Sequence, residues 1–127
     1  MNMTWYAASI VMAIRPKSGY LPGGISVHEN VVLFEAGSPE AAAGKATQYA
    51  KAEQGAHDDL MVNDEPAEML FVGIRKLVNI SNPHPASLDD DPPRERTEVT
   101  YSEFELKDET ELKKLVAGQD VTVTYVA

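Results

Sequence analysis

The stretch TEVTYSEFEL, Thr97 to Leu106, begins as a half-buried strand and then breaks its own alternation. Glu98, Thr100 and Ser102 alternate with Val99 and Tyr101, so residues two apart share a face of a sheet. Glu103 then falls on the Val99 and Tyr101 side, where the pattern asks for an apolar side chain, while Phe104 and Leu106 continue the polar side. A carboxylate so placed is paired across the sheet, turned outward by a bulge, or part of a site.

Its neighbours set the frame. SNPHPASLDDDPPRER, Ser81 to Arg96, has four prolines and three consecutive aspartates and reads as a long exposed loop. After the strand, Asp108 with Glu111 three residues on makes a capping-box pattern. Leu112, Leu115 and Val116 form the apolar face of the helix it opens, and Gly118 ends it. VTVTYV, Val121 to Val126, closes the chain as an alternating strand. In the N-terminal half, Trp5 to Ile14 is apolar on both parities, which predicts a central strand covered on both sides. RPKSGYLPGG, Arg15 to Gly24, is turn chemistry, and ISVHENVVLFEA, Ile25 to Ala36, is the second strand.

Ser38 followed by Pro39 opens a helix that runs to Gly55, with Ala42, Ala46, Tyr49 and Ala50 as a small-residue stripe. AHDDLMVNDEP reads as loop, and EMLFVGIRKLVNI, Glu68 to Ile80, as the third strand. The expected order is therefore β-β-α-β-β-α-β: an α+β fold with a mostly antiparallel sheet of about five strands and two helices. A chain of 127 residues predicts a single domain over 1–127, with long loops at about 15–24, 55–67 and 81–96.

Composition narrows the chemistry. There are no cysteines, so disulfides, thiolate metal sites and cysteine nucleophiles are excluded. Twenty Asp and Glu against eleven Lys and Arg give a formal charge of -9, which opposes binding to nucleic acid or an anionic membrane surface. The apolar N-terminal run has no basic residue before it, and no stretch reaches a membrane span; the expectation is a soluble cytoplasmic protein. His28, His57 and His84 are too scattered for a metal box, GYLPGG is no phosphate loop, and no nucleophile elbow appears. Neither a metal nor a cofactor is expected, and catalysis lacks a motif.

Glu103 has company among misplaced charges. Glu29 sits on the face of Val27, Val31 and Leu33; by alternation, Lys76 shares a face with Val72, Ile74 and Val78, and Arg75 one with Phe71 and Leu77. Glu29, Arg75, Lys76 and Glu103 are either cross-strand ion pairs or a polar patch on the sheet. Acidic residues also cluster in or beside the expected loops, at Asp58 and Asp59, at Asp64, Glu65 and Glu68, and at Asp89, Asp90 and Asp91. Such runs are solvated surface, or else a face for a basic partner.

Several blocks, in one order, resemble a small bacterial family known as a domain of unknown function. They are WYAA at Trp5 to Ala8, VHENVVL at Val27 to Leu33, EAGSPEAA at the helix start, FVGIRKL at Phe71 to Leu77, TEVTYSEF at Thr97 to Phe104 and GQDVTVTY at Gly118 to Tyr125. The resemblance spans nearly the whole chain apart from the loops at 15–24 and 81–96. It implies one small bacterial domain and brings no established activity.

Two functions of different class follow. The first is a non-enzymatic, small acidic binding protein, such as a bacterial immunity protein that inhibits a toxin by occluding its basic surface. Its basic protein partner would meet Asp58, Asp59, Asp64, Glu65 and Asp89 to Asp91. The second is a housekeeping module that binds a small molecule or assists assembly of a larger enzyme through the Glu29, Arg75, Lys76 and Glu103 patch.

Overall fold

The computed structural model of the chain describes residues 4–19, 24–54, 60–62, 64–80 and 94–126. Its centre is an antiparallel hairpin, β1 (Thr4–Pro16) against β2 (Ile25–Ala36), in register from Thr4 opposite Ala36 to Ile14 opposite Ser26. β4 (Glu65–Ile80) pairs with the free edge of β1, and β5 (Glu98–Leu106) with that of β2. Two-residue strands, β3 (Met61–Val62) and β6 (Thr124–Tyr125), lie outermost, so the six-stranded order is β3-β4-β1-β2-β5-β6 with every pairing antiparallel.

Both parities of β1 are apolar because a helix packs on each side of the sheet. Helix α1 (Pro39–Glu53) buries Ala42, Ala46 and Ala50 on the side of Ala8, Ile10, Met12, Val32 and Phe34. Alanines let its backbone come close, and Ser38 starts it by accepting the Ala41 N–H at 3.1 Å. Helix α2 (Glu109–Val116) buries Leu112 and Leu115 on the other side, against Val11, Ala13, Val27, Phe104 and Leu106. Asp108 caps it by accepting the Glu111 N–H at 3.0 Å, while the Glu111 carboxylate turns to Lys114 at 3.5 Å instead of closing a capping box. Phe104 and Leu106 are thus core residues: the "polar" parity of β5 is its α2 side. Arg15, expected in a loop, still belongs to β1, and its guanidinium pairs with Glu109 at the start of α2.

Three further differences from the sequence reading concern local geometry. The segment expected to be loop over 55–67 contains β3, paired with Glu65 and Pro66, and β4 starts at Glu65, not Glu68. Asp64 makes the turn between them at φ 64, a conformation Asp tolerates better than most residues.

The second concerns β4, which inserts an extra residue twice. Arg75 is skipped between the Ser9–Lys76 and Ile10–Ile74 pairs, and Val72 between the Val11–Gly73 and Met12–Phe71 pairs. Each bulge resets the alternation. Phe71, Ile74 and Leu77 therefore all pack on the α1 side, Val72 on the α2 side. Gly73 also faces α2; a Cβ there would stand 2.6 Å from Val116 Cγ1.

The third is in β5, which skips Val99 between the Val31–Thr100 and Val32–Glu98 pairs. Glu98 thereby joins the face of Tyr101 and Glu103. Among the described residues, no helix is long and apolar enough to cross a membrane.

Candidate functional site

The four charged residues of the expected patch do not form one patch. Glu29 projects to the α2 side, where it is 9% exposed. Arg75 meets it side-on with two donors: Nη2 donates to Oε1 at 2.9 Å and Nε donates to Oε2. The Arg75 bulge makes this reach feasible, because simple alternation would have aimed the guanidinium at the opposite face. The hydrogen bond to Glu29 raises the Arg75 pKa above its ordinary value, outweighing the burial that lowers it. Phe104, Leu115, Val121, Val123 and Tyr125 surround the pair. Lys76 is exposed and makes no ion pair with another described residue.

Glu103 stands on the α1 side, opposite His28 in register, with His28 Nε2 3.3 Å from Glu103 Oε1. It belongs to a cleft of about 430 Å³. The cleft exists because α1 lies over β4, β1 and β2, leaving this side of β5 uncovered. Its floor is apolar: Ile10, Met12, Ala50 and Met69. Tyr49 from α1 and Tyr101 from β5 stand on either side, the latter 61% exposed. Glu53, Glu98 and Glu103 add three carboxylates, and no Lys or Arg is among the described lining residues.

Glu53 and Glu98 make no ion pair with a described residue, so their charge is directed into the cleft and the solvent. The phenol of Tyr49 registers that field. Burial first, then the negative charges of Glu53 and Glu98, push its pKa above the ordinary value, with Arg96 opposing. Both walls are fixed in place. The Tyr49 ring rests edge-on against Phe34 at 5.8 Å, and Gln54 Oε1 accepts the Phe71 N–H at 2.7 Å, tying the end of α1 to β4. On the other side, Lys45 donates from Nζ to Glu95 Oε1 at 2.7 Å and to the Glu35 carbonyl at 2.6 Å, linking α1 to the chain entering β5.

Of the acidic residues expected to meet a partner, Asp64 and Glu65 lie at the β3–β4 turn and do not line the cleft. Asp58, Asp59, Asp89, Asp90 and Asp91 lie outside the described residues. Tyr49, Glu53, Glu98 and Tyr101 were not expected as site residues from the sequence. The signal that could have found part of the set is the polar pair His28 and Asn30 in β2, which line the same cleft beside Glu103. Among the described residues, no three His, Asp or Glu are grouped to hold a metal ion.

A family model described as a domain of unknown function (DUF4288) matches residues 5–87. Searches of curated proteins and of solved structures returned no match. The matched span contains the cleft floor with His28, Tyr49 and Glu53; Glu98, Tyr101 and Glu103 on β5 lie beyond it.

Proposed function

The chain belongs to the DUF4288 family, and for this member we propose a non-enzymatic binding protein that takes a basic protein partner at the cleft between α1 and β5. The observation that carries this reading is the set of Glu53, Glu98 and Glu103 at one open cleft, with no Lys or Arg among its described lining residues. In a chain with a formal charge of -9, such a concentration attracts cationic surfaces and speeds encounter with them. An inhibitor of immunity type, acting inside a bacterial cell by covering a toxin's basic site, is the form of this function that fits small size, charge and the lack of a catalytic motif.

The test is capture of the partner by tagged protein at low salt and at about 0.5 M salt, where the Debye length falls to roughly 4 to 5 Å. The expected result is one stoichiometric basic protein whose purified complex weakens with salt. It should also inhibit a toxic activity of that protein. Absence of any partner at micromolar concentration would remove the reading.

The second function, a module for a small molecule, keeps Glu103 of its expected patch, while Glu29 and Arg75 satisfy each other on the opposite side of the sheet. The volume of the open cleft, within the usual range for ligand pockets, is what favours it.

A further inference from the structure

We infer that the cleft is a receptor for a guanidinium group on an alkyl stem, namely an arginine side chain of the basic partner; this deepens the reading above and rests on it. Carboxylates alone would attract any cation. What selects among cations is the order of surfaces along the cleft.

The floor of Ile10, Met12 and Met69 is apolar and offers a methylene stem a place to shed water. A compact, strongly hydrated ammonium gains little there, whereas a guanidinium is more weakly hydrated and is drawn into partly apolar sites. Tyr49 and Tyr101 flank that floor, and a planar cation stacks on aromatic faces better than a point charge does. Glu98 and Glu103, brought to one side by the Val99 bulge, supply carboxylate oxygens that match the forked donors of a guanidinium. The exposure of Tyr101 belongs to the same picture, because a large aromatic left in water on a strand covers the stem once the cleft is filled.

His28 meets Glu103 from the facing strand at 3.3 Å and leaves Glu98 and Glu53 without a counter-charge among the described residues. Of the described cations on adjoining elements, Lys45 holds Glu95, and Arg96, whose charge is felt at Tyr49, does not line the cleft but a separate surface hollow with Lys45 and Gln48.

The probe is N-acetyl-arginine amide, titrated against the isotope-labelled full chain by NMR, with the citrulline and lysine analogues beside it. Citrulline keeps the shape and loses the charge; lysine keeps the charge and loses the plane. The expected result is saturable shifts at Tyr49, Tyr101 and Glu103 with the arginine compound at millimolar concentration, and affinity lower by about tenfold for citrulline and by a smaller factor for lysine.

The double variant Glu98→Gln, Glu103→Gln should lose about tenfold with an unchanged circular dichroism spectrum, and Tyr101→Ser serves if that variant fails to fold. Equal binding of the citrulline compound, or shifts spread outside the cleft, overturns the inference. If the captured basic partner binds the double variant as tightly as the parent chain, the cleft is not its seat; the inference falls, and of the reading above the basic partner stands while its place at the cleft does not. If the arginine compound fills the cleft but no basic partner binds the parent chain at micromolar concentration, the partner's side chain is overturned as occupant and the reading above falls with it.

Discussion

Glu29 and Glu103 interrupt neighbouring strands in the same manner, each a carboxylate on a face shared with apolar residues, yet the two sides of the sheet treat them oppositely. On the α2 side Glu29 is buried, held by two donors of Arg75 and walled by Phe104 and Leu115. On the α1 side Glu103 has a single histidine neighbour and an open cleft in front of it. A carboxylate in an apolar pattern therefore has no fixed meaning; its partner and its solvent decide. The closed side uses charge to complete a core, and the open side leaves charge available to something outside the chain.

The largest expected effect breaks the closed side. Arg75→Ala would strand the buried Glu29 carboxylate and should cost about 3 kcal/mol, read as a lower urea midpoint. Glu103→Gln, the matching change on the open side, should alter stability by less than about 0.5 kcal/mol, because its histidine contact is partly exposed. Equal losses at the two sites would erase the distinction between them.

Next in size is Gly73→Ala, whose added methyl meets Val116 at 2.6 Å and should cost about 1 to 3 kcal/mol by overpacking. Adding Val116→Ala should recover part of that loss, and failure to do so would put the strain in the backbone of β4 instead of its packing on α2.

The smallest effect sharpens the electrostatics of the open side. Tyr49 has a raised pKa in the folded chain, from burial and then from Glu53 and Glu98. The unfolded chain releases this proton near pH 10, before the folded chain does. The contribution of Tyr49 to stability is thus fully present below about pH 10 and is lost as pH rises through the folded value. Tyr49→Phe should flatten that alkaline decline in a series of denaturation curves, and Glu98→Gln should move the tyrosine titration back toward the ordinary value.

Much of the scaffold was legible because its signals are local. Apolar residues on both parities placed β1 centrally, and Ser38 with Pro39 and Asp108 marked the helix starts. The cleft was not legible, and the reason is arithmetic. One bulge residue reverses every face beyond it, so alternation set Glu98 apart from Tyr101 and set Arg75 beside Phe71, and the structure reverses both. β3 escaped notice because two residues are too short for any period to show. Tyr49 was read as part of the packing stripe of α1, and it is that as well: its ring meets Phe34 while its other side belongs to the cleft.

The bulges of β4 have a consequence for how copies of the molecule behave toward one another. Among the described residues, β3 pairs with Glu65 and Pro66 at the start of β4, the Leu60 carbonyl accepts the Ala67 N–H at 2.8 Å, and Gln54 occupies the Phe71 amide further along. A strand from a second molecule, arriving to extend the sheet, would have to match two skipped residues at Val72 and Arg75 and lie beside the exposed ammonium of Lys76. Irregular hydrogen-bond spacing and a charge on the rim are the means by which sheet proteins resist edge-to-edge aggregation. The insertion that turns Arg75 inward to Glu29 therefore also makes this edge a poor template for a further strand.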